Sequence, residues 1–179
     1  RTKTRIAEKI IPPFWTVDSD VVVPSKLLTK EHYAARTIRP KIHALLPQFM
    51  RRVENPAAQF PWRAPSHVLS LVPDPSLLDN FPIDRAVAPS KYFHGGSQEA
   101  KRCLEQFLRS RLKDYATQRN KPDLDGTSQL SPYLPFGHIG VQRVALAVRR
   151  ADAPAQDRNA FLEELIVRRE LAVNFVLFN

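Results

Sequence analysis

The sequence predicts a mainly α-helical fold, and three observations carry that prediction. Apolar residues recur with a helical period through the second half, β-branched residues cluster in one short run near the start, and a proline-rich span lies between them. The clearest helical pattern is 97–119, SQEAKRCLEQFLRSRLKDYATQR. Its residues Ala100, Cys103, Leu104, Phe107, Leu108, Leu112 and Tyr115 form one stripe. Ser97 suits an N-cap and Glu99 a first turn.

The other elements follow in chain order. Residues 1–11 read as the end of a helix. Phe14–Val23 is aromatic and β-branched between prolines, which predicts a strand or two closing a preceding α/β domain. Residues 31–39 and 40–50 read as two helical pieces, with Pro40 opening the second where a first-turn proline is tolerated. In 53–96, prolines at 56, 61, 65, 73, 75, 82 and 89 forbid a long helix. A span of that length links domains or wraps one. A helix over 138–150 turns Val141, Val144, Ala145 and Val148 inward. A last helix, 160–175, starts from a cap at Asn159 and carries the stripe Leu162, Leu165, Ile166, Ala172 and Val173, interrupted by Arg169. The chain thus divides into 1–25, a connector at 26–96, and a helical region at 97–179.

Composition bounds the function. With 179 residues, 43% of them apolar, the chain can bury a core, and no apolar run approaches the length of a membrane helix. Cys103 is the one cysteine, which excludes an internal disulfide and a cysteine zinc site. A net charge of +9 fits either an anionic partner such as nucleic acid or a solvated basic surface. His32, His43, His67, His94 and His138 lack metal-ligand spacing. FHGGS at 93–97 is no nucleophile elbow, and no phosphate-binding glycine loop occurs. The chain starts at Arg1 and ends on the apolar run VNFVLFN without a helix stop, so it reads as part of a longer protein.

Three stretches carry possible chemistry, each with two readings. In DGTSQLSPYLPFGHIG, 125–140, Thr127, Ser128 and Ser131 gather beside free backbone amides ahead of Pro132. They suit either a helix cap or a phosphate cradle, with Gly137 and Gly140 allowing close packing. Tyr115 and Arg119 sit one helical turn apart beside that loop, as core and dipole-matched residues or as parts of a site. In FLEELIVRRELA, 161–172, Glu164 and Arg168 have the spacing of an intrahelical pair. Arg169, close to the apolar stripe, needs an internal acid or a bound anion.

The order of these stretches is more specific than any one of them. Y-x-x-x-R-N at 115–120, G-T-S-x-L-S-P-Y-L-x-F-G at 126–137 and F-L-E-E-L-I-V-R-R-E-L-A at 161–172 together resemble the flavin-binding region of the photolyase/cryptochrome family. The wording is nearest to its class II cyclobutane pyrimidine dimer photolyases. YAARTIRPKIHALLPQF, 33–49, resembles the family's junction between antenna and helical domains, and PFWTVDSDVVVP the last strand region of its Rossmann-like α/β antenna domain.

The resemblance implies that Tyr115, Thr127, Ser128, Gln129, Leu130, Ser131 and Arg168 hold FAD. It implies that Arg119 and Arg169 face DNA, and that Glu164 lies beside the pyrimidine dimer and stabilises its charged form. It further implies a monomeric intracellular enzyme of nucleus or cytoplasm, free of membrane. Such an enzyme repairs DNA by light-driven electron transfer from reduced FAD, with lesion nucleotides flipped out of the duplex. An antenna chromophore would bind upstream. Two departures stand out: Val173 where class II members usually have Asp, and His138 where glutamine is common. A flavin photoreceptor without repair activity, or a basic helical DNA-binding module without flavin, are the alternatives.

Overall fold

The computed structural model describes residues 2–52, 57–63, 65 and 74–179; expectations that rest on Arg1, Pro56, His67 and Pro73 lie outside them. Among the described residues every regular element is helical. In chain order these are α1 (Thr2–Ala7), α2 (Ala35–Phe49), α3 (Ser97–Ser110), the single turn α4 (Tyr115–Gln118), α5 (Val141–Arg150), α6 (Ala155–Leu162) and α7 (Arg169–Phe178). Short 3₁₀ turns occur at Ser25–Leu27 and Pro75–Asn80, and a π-helical turn, Glu163–Arg168, joins α6 to α7. The chain forms two compact units, Arg1–Arg52 with Gly95–Asn179, and Val53–His94.

The α3 stripe builds the core of the larger unit. Ala100, Cys103, Leu104, Phe107, Leu112 and Tyr115 are all buried, as the period predicts. The predicted helix is nevertheless broken. α3 stops at Ser110, the Leu112 N–H bonds back to Phe107 O at 2.9 Å, and Asp114 turns left-handed at φ 68° before α4 begins. Gly96, not Ser97, occupies the N-cap position of α3.

α2 is one helix where two pieces were expected, with Pro40 and Pro47 inside it. An interior proline costs about 3 kcal/mol through its missing N–H and its ring clash. Ile38 and Ile42 on either side of Pro40 are fully buried. At about 2 kcal/mol per buried side chain they offset that cost. The C-terminal end of α2 is satisfied from α5: Gln142 Nε2 donates to Phe49 O (2.6 Å) and Arg51 O (3.2 Å). Residues 26–52, expected as connector, therefore pack into the helical core.

The strand expected in Phe14–Val23 is absent. Among the described residues no strand lies beside it to complete a ladder, and side chains serve its backbone instead. Glu170 Oε1 accepts the N–H groups of Val22 (3.2 Å) and Val23 (3.0 Å), and Asp18 accepts that of Ser25 (2.9 Å). α5 starts at Val141 rather than 138, with Val141, Val144, Ala145 and Val148 buried as expected. α6 starts at Ala155 behind Pro154, so Asn159 is inside the helix and caps nothing.

The second unit is held locally. Asp74 accepts the Ser76 N–H and so caps the turn Pro75–Asn80, and Arg85 pairs with Asp79 at 2.6 Å. Its aromatic residues Phe60, Trp62, Phe81 and Tyr92 are exposed.

Candidate functional site

Three of the residues singled out in the sequence meet at one place. α4 presents Tyr115, whose ring packs edge-on against Phe107 (5.8 Å) and Phe161 (5.2 Å). One turn on, the Arg119 guanidinium lies 6.0 Å over the Tyr115 ring and donates through Nη1 to Glu164 Oε1 at 2.7 Å. Burial raises the Tyr115 phenol above its ordinary range, opposed by the Arg119 charge, and the hydrogen bond to Glu164 raises Arg119. The two charged side chains keep 28% and 40% of their exposure, so the pair can be reached from solvent. Arg119 Nε is buried without a partner. The spacing predicted a Glu164–Arg168 pair. The pair forms with Arg119 instead, and Arg168 is exposed.

The change of partner follows from the π turn. An i→i+5 turn holds one more residue than an α turn and re-phases everything after it; such turns recur at functional sites. Glu163, next to Glu164, reaches α2, where Arg39 donates Nη2 to Oε1 (2.6 Å) and Nε to Oε2 (3.1 Å). That hydrogen-bonded fork holds the Glu163 carboxyl below its usual range. Beyond the turn the buried positions are Glu170 and Asn174, not the predicted Ala172 and Val173. Asn174 Oδ1 accepts the His32 N–H (2.8 Å), and its amide donates to Lys30 O (3.0 Å). Arg169 is served differently from the internal acid expected: Nε donates to the Asp20 backbone carbonyl at 2.6 Å, and Nη2 lies 3.7 Å from the exposed Asp20 carboxylate.

The hydroxyl loop is held separately. Gly126 abuts Gln118, the residue before Arg119; a Cβ there would lie 2.8 Å from the Gln118 carbonyl carbon, so only glycine fits. Cys103 Sγ donates to Ser128 O (3.3 Å), burial raising its thiol, and Leu130 is buried as the anchor. Gln129 is left-handed at φ 55°, with its amide donating to Asp125 Oδ1 at 2.6 Å.

Thr127 and Ser131 are exposed, and Ser128 Oγ accepts from Leu130 N at 3.3 Å. The loop therefore offers hydroxyls and left-handed backbone of the kind that receives a phosphate. No helix starts at Pro132, however. Residues 131–137 are successive turns, and Gly137 supplies a positive φ of 66°, but neither Gly137 nor Gly140 makes the close packing expected of it. Among the described residues no hydrogen bond joins Thr127–Ser131 to Glu164, Arg168 or Arg169.

Arg39, Glu163, Asp157 and Glu170 were missed by the sequence reading. The adjacent acids Glu163-Glu164 were a signal for the first two. Among the described residues no cluster of metal-ligating side chains occurs, and no helix is long and apolar enough to cross a membrane.

The fold and site define a helical, basic domain in which a hydroxyl-rich loop adjoins a turn carrying an accessible arginine–glutamate pair. No family model matches the chain. Curated relatives do. It is 35% identical over 170 residues to the deoxyribodipyrimidine photo-lyase of Potorous tridactylus, covering 93% of this chain and 31% of the relative. It is 37% identical over 171 residues to that of Methanothermobacter thermautotrophicus, covering 93% and 36%. Cryptochrome-1 of Sinapis alba is 33% identical over 121 residues, covering 67% of this chain and 23% of the relative. These matches support membership of the photolyase/cryptochrome family, and the helical architecture matches a helical part of a photolyase. The chain spans about a third of the length of the photolyases it matches over most of its length.

Proposed function

We propose that these residues belong to a light-driven DNA-repair flavoprotein that splits cyclobutane pyrimidine dimers, of the class II type. The Arg119–Glu164 pair, accessible and braced over Tyr115, is the observation that carries the reading. An extruded lesion presents phosphates that a cation can neutralise and base edges that a hydrogen-bonding side chain such as a carboxyl can read. Arg119 and Arg169 take the DNA side, and Glu164 faces the dimer. Residues 97–179 are then the first part of the flavin domain, 53–94 the connector, and 1–25 the approach from an antenna domain.

FAD fits the donor set. Thr127 and Ser131 hydroxyls are exposed, the backbone turns left-handed at Gln129, and +9 net charge suits a diphosphate. Thr127, Ser128, Gln129, Leu130 and Ser131 would cradle it, with Tyr115 and Arg168 completing its contacts. These residues would hold FAD in its reduced form, whose chemistry there would be light-driven electron donation to the dimer. The chain's own part is to hold that group, keep the lesion beside Glu164 and neutralise phosphate charge.

The test uses the protein expressed with whatever sequence flanks residues 1–179 in its gene. Dimer-containing oligonucleotides should lose their dimers under blue or near-ultraviolet light, and not in the dark. Bound flavin without dimer loss would favour a photoreceptor, the reading that the cryptochrome relatives support. Absence of flavin would favour a DNA-binding module. Thr127→Ala with Ser128→Ala should lower flavin occupancy, each lost charged hydrogen bond being worth roughly 1.5–3 kcal/mol. Unchanged occupancy would remove the cradle assignment.

A further inference from the structure

We infer that Asp157 is a positioning residue of the lesion site, acting through Arg119. α4 is a single turn, too short to hold itself together, and no side chain of its own caps it. Its exposed N–H groups are satisfied from another helix. The buried carboxylate of Asp157 on α6 accepts the Asp114 N–H through Oδ2 (3.1 Å) and the Ala116 N–H through Oδ1 (2.9 Å). Both oxygens are used, and they grip the backbone on either side of Tyr115.

The same helical rod touches α4 at two further levels. Phe161 packs on the Tyr115 ring, and Glu164 bonds the Arg119 guanidinium. Residues 157, 161 and 164 follow one another at helical spacing along one face. The three contacts hold the α4 backbone on either side of Tyr115, the Tyr115 ring and the Arg119 guanidinium at the end of the turn. Asp157 is the one that sets the backbone itself. Without it the left-handed Asp114 (φ 68°) has nothing holding its N–H, and α4 can slide along the rod. Arg119 then loses its place over Tyr115 and beside Glu164, although neither residue has changed.

This rests on the assignment of Arg119 and Glu164 to the lesion side of the site. The experiment compares binding of dimer-containing and undamaged DNA, in the dark, by the protein with its native flanking sequence. The wild type establishes the reading of the site: no preference for dimer-containing DNA overturns that reading, independently of Asp157. Given a preference, Asp157→Ala should reduce it on the order of 10-fold, with flavin occupancy retained. Asp157→Asn, which keeps one acceptor oxygen, should recover most of it. Equal preference in Asp157→Ala and wild type overturns the inference.

If Asp157→Ala does not fold, a double-mutant cycle between Asp157→Glu, which keeps a carboxylate but displaces it by one methylene from the Asp114 and Ala116 N–H groups, and Arg119→Gln decides. A residue acting through Arg119 has no further effect on the preference once Arg119 is gone, so the two losses are not additive. Additive losses show a purely structural role and overturn the inference.

Discussion

Glu170 makes folding stability depend on pH in an unusual direction. Its side chain is 1% exposed, Oε1 takes the Val22 and Val23 N–H groups, and Oε2 is buried without a partner. Burial pushes the carboxyl up from 4.5 to about 7; the two N–H donors pull it down and Asp18 adds to the rise. A group whose folded pKa is raised contributes stability that is fully present below its unfolded pKa. That stability disappears as pH climbs through the folded value. For Glu170 the window runs from about 4.5 to about 7. At 1.36 kcal/mol per unit, the shift corresponds to roughly 3 kcal/mol.

Urea denaturation of wild type and Glu170→Gln between pH 4.5 and 8 measures it. Glutamine keeps the acceptor oxygen and removes the titration, while its new N–H lies where Oε2 lacked a partner and costs about 1–3 kcal/mol at every pH. The readout is therefore the difference in slope. Wild type should lose about 3 kcal/mol relative to the variant across the window. Parallel profiles would refute a buried, titrating Glu170. A difference that grows toward low pH would show that the carboxylate, not the acid, is the form the fold prefers.

Two other substitutions test the framework around the site. Gly126→Ala drives a Cβ into the Gln118 backbone, which should cost about 1–3 kcal/mol. For a chain of this size that lowers Tm by roughly 3–10 °C; an unchanged melting curve would mean that the loop does not press on α4. Glu163→Gln removes a half-exposed fork to Arg39, with an expected loss of about 0.5–1 kcal/mol that shrinks in 1 M salt. Because Arg39 holds that carboxyl low, the loss should be present above about pH 4.5 and vanish as pH falls further, which acid titration of the two proteins can check.

The helices around α3 and α5 were legible because apolar period alone positions them: each predicted inward residue of α5 is buried. The end of α3 was not, since the stripe continues through Leu112 and Tyr115 across a left-handed Asp114 that periodicity cannot register. Phe14–Val23 had the composition of a strand, but a strand is defined by the neighbour it pairs with, and here an acid from α7 takes that role. Glu170 and Asn174 look like solvent-facing residues in a helical pattern. They are buried because the irregular segment at 20–32 needs acceptors and donors that its own backbone does not supply.

The π turn explains why the candidate site was half legible. Tyr115, Arg119 and Glu164 could be picked out one by one, yet their meeting depends on which way Glu164 points. In an uninterrupted α-helix, residues four apart share a face, which favours Glu164 with Arg168. The wider turn lets Glu163 brace α2 and Glu164 brace α4 while Arg169 and Glu170 both reach the segment at 20–23. One local change of helical pitch thus ties three parts of the larger unit to a single rod. It leaves Arg168 as the cation of this stretch that faces solvent. An anion approaching the rod would meet Arg168 without displacing an internal partner. At Arg119 it would compete with Glu164, which couples anion binding there to release of the carboxyl.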